Sequence, residues 1–346
     1  MTPFAERLIA WHASHGRHDL PWQVSDAYRV WLSEIMLQQT QVTTVLPYYA
    51  RFLERFPGVA DLAAAPQDDV LALWSGLGYY SRARNLHAAA RMVMARFDGA
   101  FPRDPAQLAE LPGIGRSTAA AIAAFSYAVR TPILDGNVKR VLTRWAGIAG
   151  FPGERAVEQR LWRLAEDLLP HDASAMPAYT QAQMDLGATV CTPRKPACMA
   201  CPLSDDCVAR IEGRQHELPT PKPKKTIPER NTVMLLIADD AGRLLLEQRP
   251  PSGIWGGLWS LPEVATTLDA EPACRSRFGL DIEAGPAGAD FIHVFTHFRL
   301  TITPLPARVV GHAPVLRETA GRWFTRAEAL AAGIPTPLRK LLTRPG

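Results

Sequence analysis

The sequence predicts two domains of different class, an all-α domain over residues 1–213 and a smaller α+β domain over residues 231–346. Three observations carry this. Apolar residues recur at helical spacing through the first 213 residues. Residues 214–230, RQHELPTPKPKKTIPER, then hold four prolines and an excess of basic over acidic side chains, the composition of an extended linker. Beyond them, short apolar runs bounded by turn residues read as strands.

In the first domain the helical pattern covers Phe4–Trp11, Tyr28–Leu37, Val42–Phe56, Val70–Trp74, Leu86–Phe97, Ser117–Tyr127, Val138–Ile148, Val157–Leu169 and Tyr179–Leu186. Pro57-Gly58, Gly76-Leu77-Gly78, Pro102, Pro132, Pro152-Gly153 and Pro170 punctuate it. No repeat and no strand-rich stretch interrupts it, so a bundle-like packing of helices follows. In the second domain Asn231–Ala238 and Arg243–Glu247 flank an Asp-Asp-Ala-Gly turn and predict a β-hairpin. Phe291–Thr296, Arg299–Leu305 and Gly321–Phe324 are further strands, with helices at Ala270–Phe278, Arg326–Ala332 and Pro337–Thr343.

Composition narrows the function classes. With 47% hydrophobic residues the chain builds real cores, and no apolar run is long enough to span a bilayer. The N-terminal residues lack a secretory signal pattern, so the expectation is a cytoplasmic protein without membrane partners. The net charge of +4 is spread without a strongly basic face: residues 1–213 carry 21 basic and 21 acidic side chains, residues 214–230 carry 5 and 2, and residues 231–346 carry 12 and 11. Any grip on nucleic acid must therefore come from local placement and backbone amides.

The segment LPGIGRSTAAAIAAFSYAVRTPILDGNVKR at 111–140 is the most specific stretch. Gly113 and Gly115 sit in a tight hairpin just before an Ala-rich helix, where free N–H groups and the helix dipole favour an anion such as phosphate. A corner that needs glycine only for packing is the competing reading. Asp135, before Gly136-Asn137, is an ordinary helix N-cap by position. Glu34 lies in a helix between Leu32 and Ile35-Met36-Leu37, where burial would raise its pKa and keep a proton available near neutrality. Cys191, Cys198, Cys201 and Cys207 form a C-x6-C-x2-C-x5-C array in 17 residues, which suits one metal centre. Zinc and a 4Fe–4S cluster both remain open. The single C-x2-C knuckle and the wide gaps favour the cluster.

These pieces together resemble the helix-hairpin-helix DNA glycosylases of the endonuclease III superfamily, and most closely the MutY family of adenine DNA glycosylases. The resemblance rests on WLSEIMLQQTQV at 31–42, SGLGYYSRARNL at 75–86, LPGIGRSTA at 111–119, ILDGNVKRV at 133–141 and the four-cysteine loop, and it covers essentially the whole chain. It implies a six-helix lobe at about 26–132, a second lobe built from 1–25 and 133–213 around a 4Fe–4S cluster, and a monomer acting on double-stranded DNA in the bacterial nucleoid. By the same resemblance Glu34 protonates adenine and Asp135, with Asn137 nearby, meets the sugar cation. Gln39 and Tyr79 wedge into the duplex at the flipped base. Gly113, Gly115, Arg116 and Ser117 hold the DNA backbone, and Trp22 lines the base pocket. Bifunctional relatives carry a nucleophilic lysine directly after the hairpin arginine, whereas Ser117 stands here and forms no imine. Excision by water follows, with an endonuclease III-type glycosylase and lyase as the alternative.

For residues 231–346 the same comparison points to a Nudix-like fold. Nudix hydrolysis needs a Gly-x5-Glu-x7-Arg-Glu-x2-Glu-Glu box, and after Gly257 only Glu263 of it survives, so the paired carboxylates of a Mg2+ site are missing. The resemblance implies a domain that recognises 8-oxoguanine opposite the adenine, through Phe295, Thr296 and His297. Thr296 stands where relatives often carry serine, which keeps the hydroxyl.

Overall fold

The computed structural model describes residues 2–223, 226–312 and 321–343. The linker residues 224 and 225 lie outside that set. The helices are α1 Pro3–His15, α2 Ala27–Leu37, α3 Val42–Arg55, α4 Val59–Ala64, α5 Gln67–Trp74, α6 Ser81–Phe97, α7 Pro105–Ala109, α8 Arg116–Tyr127, α9 Gly136–Trp145, α10 Arg155–Asp167, α11 Met176–Asp185, α12 Val208–Ile211, α13 Ala270–Phe278, α14 Arg326–Ala331 and α15 Thr336–Thr343. The strands are β1 Glu229–Ala238, β2 Leu244–Gln248, β3 Trp259–Ser260, β4 Glu263–Val264, β5 Leu280–Ala284, β6 Phe291–Val294, β7 Arg299–His312 and β8 Gly321–Phe324.

The chain forms two compact units, Met1–Ala64 with Asn85–Lys224, and Ala65–Arg84 with Lys225–Gly346. The first unit is helical. Its core joins Phe4 and Leu8 of α1 to Ala120 and Ala124 of α8, Val138 and Leu142 of α9, Leu161 of α10 and Tyr179 of α11. Residues from both ends of the unit thus share one interior. All six residues Ala119–Ala124 are buried, because α8 packs against α2 and α7 as well as α11. A helix covered on several sides needs small side chains at the close approaches, and the Ala run supplies them.

The segment expected to be an extended linker is partly docked. Leu218 is 3% exposed and its carbonyl accepts from Arg144 Nε at 2.8 Å. Thr220 Oγ1 accepts from the Gly150 amide at 3.2 Å. Burying an apolar side chain and satisfying a buried guanidinium offset the entropy that a free spacer would keep.

The second unit is built on an eight-stranded mixed sheet of order β3-β2-β1-β7-β5, with β4 on β1, β6 on β7 and β8 on β2. The expected hairpin forms: β1 and β2 are antiparallel, with Ala238 opposite Leu244. β1 and β7 run parallel from Glu229 opposite Arg299 to Ala238 opposite Arg308. A parallel pair needs a long crossover, and α13 lies within it. Cys274 and Phe278 of α13 pack on Val233, Leu235, Ile282 and Leu305 of the sheet. Residues 65–84, expected among the N-terminal helices, belong to this unit. Tyr80 Oη donates to Ile334 O at 3.2 Å, Arg84 Nη1 to Gly256 O at 2.5 Å, and Gln248 Nε2 to Asp68 Oδ1 at 3.1 Å.

Candidate functional site

Glu34 lies one turn from the C-terminus of α2. It lines a pocket with Arg17, Trp22, Ser33, Phe125 and Gln181. Burial, and secondarily the charge of Asp135, pushes its carboxyl up to about 8. The group is therefore largely protonated at neutral pH, and it is not the solvated polar position of an amphipathic helix. Trp22 is 7% exposed and meets Tyr49 edge-on at 5.3 Å, which fixes one wall of the pocket.

Asp135 is the N-cap of α9, accepting from the Val138 amide at 2.7 Å. Burial raises its pKa, while hydrogen bonds from the Val138 and Asn137 amides oppose the rise. Asn137 is clasped from two sides. Arg140 Nη2 donates to its Oδ1 at 2.9 Å, and a Cβ built at Gly187 would lie 2.6 Å from the Asn137 Cβ. The same guanidinium reaches Gly187 O at 2.7 Å and, through Nε, Cys191 O at 2.7 Å.

The hairpin joins α7 to α8, closed by the Ile114 amide donating to Leu111 O at 3.1 Å. Gly113 has φ of +80° and is exposed. Gly115 is the N-cap of α8 and offers no side-chain cap, and the space where its Cβ would stand is open. The first amides of α8 therefore face an unobstructed approach. Arg116 is exposed, with its guanidinium 3.8 Å above the Trp162 ring. Ser117 does not cap the helix. Its Oγ accepts from the Leu134 amide at 2.9 Å, next to Asp135. Gln39 has φ of +57°, a left-handed backbone that non-glycine residues hold only under constraint.

All four array cysteines line one cavity, together with Arg144. Among the described residues no three His, Cys, Asp or Glu side chains converge closely enough to hold a single ion. Sulfurs ringed around a volume fit a group that takes one thiolate per iron better than they fit a lone zinc. Burial pushes the Cys201 thiol up to about 11 and also raises Cys207, a cost that a cationic centre would reverse by binding thiolates. Arg144, 3% exposed, donates to Thr192 O at 2.8 Å, Pro193 O at 3.1 Å and Cys191 Sγ at 3.3 Å.

In the second unit Tyr79 is 44% exposed with φ of +49°, between Gly78 at +77° and the start of α6. Arg82 holds that turn through Leu77 O and Gly78 O, both at 3.2 Å. Phe295, Thr296 and His297 form the turn between β6 and β7, closed by the Phe295 amide on Phe298 O at 2.9 Å. The strand expected to run to Thr296 ends at Val294, which leaves Thr296 and His297 exposed.

Three family models match. One described as HhH-GPD superfamily base excision DNA repair protein covers residues 32–167. One described as iron-sulfur binding domain of endonuclease III covers residues 191–207, and one described as NUDIX domain covers residues 232–344. An adenine DNA glycosylase of Buchnera aphidicola is 36% identical over 98% of this chain and 96% of its own length. The adenine DNA glycosylase of Homo sapiens is 35% identical over 99% of this chain and 73% of its own. The chain belongs to the adenine DNA glycosylase family.

As an adenine DNA glycosylase it is an enzyme of base excision repair, and its cofactor is a 4Fe–4S cluster. The fold neighbours agree. A thermostable thymine-DNA glycosylase superposes with a TM-score of 0.55 at 27% identity, covering 60% of this chain and 95% of that one. Endonuclease III in a non-covalent DNA complex superposes with a TM-score of 0.51 at 20% identity, covering 61% and 95%, which speaks to the fold alone. No helix among the described residues is long and apolar enough to cross a membrane.

Sequence reasoning missed the support around the glycosylase pocket. Asp185 is fully buried, and its carboxylate accepts from the Arg17 amide at 2.8 Å, Arg17 Nε at 2.9 Å and Gln181 Nε2 at 2.8 Å. The i, i+4 spacing of Gln181 and Asp185 was a readable signal. Arg17, 168 residues away, left none.

Proposed function

We propose that the chain is a monofunctional glycosylase that removes adenine paired with 8-oxoguanine or guanine from double-stranded DNA, acting as a monomer. The observation that carries the reading is Glu34, a carboxyl held neutral at physiological pH in a pocket, with a second carboxyl, Asp135, in its electrostatic reach. Adenine leaves poorly as an anion, so the step needs a proton on the base and charge to stabilise the sugar cation. Glu34 donates that proton, and the resulting carboxylate accepts one from the attacking water. Asp135, whose burial raises its pKa against the opposing pull of two amide donors, offsets the positive charge on the sugar when it is ionised. Asn137, fixed by Arg140 and Gly187, orients the sugar or the water beside it.

The unobstructed first amides of α8 at Gly115 and Arg116, presented by the turn at Gly113, grip the backbone, and Ser117 steadies the Asp135 turn. Gln39 and Tyr79 enter the duplex and offset part of the few kcal/mol that base flipping costs. Phe295, Thr296 and His297 read the opposite 8-oxoguanine. Cys191, Cys198, Cys201 and Cys207 would hold the cluster, and Arg194 and Lys195, exposed in the same loop, would meet phosphate.

Single-turnover excision on duplexes with adenine opposite 8-oxoguanine, guanine and thymine tests the reading. Glu34→Gln should lose excision and keep duplex binding, and retained excision would overturn the assignment. Efficient borohydride trapping of a covalent adduct by the parent protein would instead favour the endonuclease III-type lyase.

A further inference from the structure

α10 carries a row of side chains at four-residue intervals, Glu158, Trp162 and Glu166, which the helix brings to one face. Each of the three receives a cation from a different part of the helical unit. Lys139 Nζ of α9 reaches Glu158 Oε1 at 2.5 Å. Arg130, in the segment after α8, has Nη1 3.9 Å from Glu166 Oε1 and donates through Nε to Pro170 O at 2.9 Å. Arg116, at the start of α8, takes the middle position, its guanidinium carbon 3.8 Å from the centre of the Trp162 ring.

The outer two positions neutralise their cations and the middle one does not. A carboxylate at 162 would close a third ion pair. An aromatic face instead holds the guanidinium through its quadrupole and leaves the charge intact. It also leaves the N–H donors at the guanidinium's edge, in the fork that matches the oxygens of a phosphate. Arg116 is exposed, and among the described residues it makes no hydrogen bond or ion pair through that guanidinium. Trp162 is half-buried against the helical core, which gives the ring a fixed seat.

The helix beneath adds a second reason for an anion. Arg116 directly follows the Gly115 N-cap, and the first turn of α8 holds no acidic side chain. A cation at that end opposes the helix dipole, and an anion bound to the first amides relieves the conflict.

We propose that Trp162 is a positioning residue for DNA binding: it holds the Arg116 guanidinium in place without neutralising it, so that a backbone phosphate is the anion that completes the row. The proposal rests on the reading of Arg116 as a backbone contact, and it explains why an aromatic residue stands between two glutamates.

Fluorescence anisotropy of the full chain with an undamaged duplex, over a series of KCl concentrations, tests it. Arg116→Gln should lower the slope of log affinity against log salt by about 0.9, the share of one phosphate contact. Trp162→Glu should lower it equally, with parent helix content by circular dichroism, because Arg116 then has a carboxylate partner. Combined with Arg116→Gln, Trp162→Glu should change affinity by less than about twofold, since the two act through one contact. Trp162→Phe keeps an aromatic face and should keep the slope. Trp162→Gln removes the face without adding charge, and carries the test if Trp162→Glu does not fold: affinity should fall about threefold, and only while Arg116 is intact. An unchanged slope in Arg116→Gln overturns the backbone reading of Arg116 and the proposal with it. A lowered slope in Arg116→Gln, with parent binding in Trp162→Glu and Trp162→Gln, overturns the proposal alone. So does an equal loss in Trp162→Phe, or a loss that persists in the Arg116→Gln protein.

Discussion

Glu34 concentrates the chemistry at the scale of single residues. In the proposed mechanism its proton is the reagent, so excision should fall as pH rises through about 8, measured as single-turnover rates between pH 6 and 9.5. The stability consequence has the same sign. A carboxyl raised from 4.5 to about 8 contributes stability that is full below 4.5 and lost as pH rises through 8. Glu34→Gln carries no charge at any pH, so relative to the parent it should gain roughly 4 kcal/mol between pH 5 and pH 9 in urea melts. This residue was legible in the sequence because a lone acid inside an apolar helical run has few bland explanations. Asp135 was legible as the N-cap it forms, and that bond also holds in place the carboxylate proposed to meet the sugar. Ser117 was half legible. The absence of lysine could be read directly, but its bond to the Leu134 amide crosses 17 positions and follows no local rule. Ser117→Ala should cost ~1–2 kcal/mol by leaving that amide unpaired, read by thermal melting.

Elements were legible where their period was long. The nine helices expected in the first domain all form, with ends shifted by a few residues. α4, α7 and α12 were missed because four to six residues hold less than two turns of pattern. β3 and β4, at two residues each, carry no alternation to detect. β5 did carry it: Leu280 and Ile282 are buried and Glu283 is exposed. Close contacts between elements leave fainter traces. Gly187, in the wide turn that extends α11, lies directly against Asn137 of α9. Gly187→Ala should cost about 1–3 kcal/mol through overpacking and should slow excision, because the displaced atom belongs to Asn137. Gly113→Ala meets both a positive φ and a Cβ contact of 2.8 Å with Asn85; a loss of roughly 1–3 kcal/mol is expected, with weaker duplex binding in fluorescence anisotropy.

For the whole molecule, the two fold classes were readable from composition and period. The membership of residues 65–84 in the second unit was not, because hydrogen bonds such as Tyr80 to Ile334 span 254 positions. The cluster loop was legible through its four cysteines, whereas its anchoring on Arg144 was hidden among ordinary helix residues. Cys201→Ser should lower bound iron per chain in colorimetric analysis and destabilise the loop that Arg144 ties to Leu218. Arg17 and Asp185 have a last consequence, one of timing. The wall of the base pocket joins residue 17 to residue 185, and α1 packs on α11. On the ribosome, α1 emerges well before α11, and its packing, together with the pairing of Arg17 to its carboxylate, is completed only when α11 has cleared the exit tunnel. For that interval the nascent chain displays an apolar face and an unpaired Arg17, so the N-terminal helix is where chaperone capture during synthesis should concentrate.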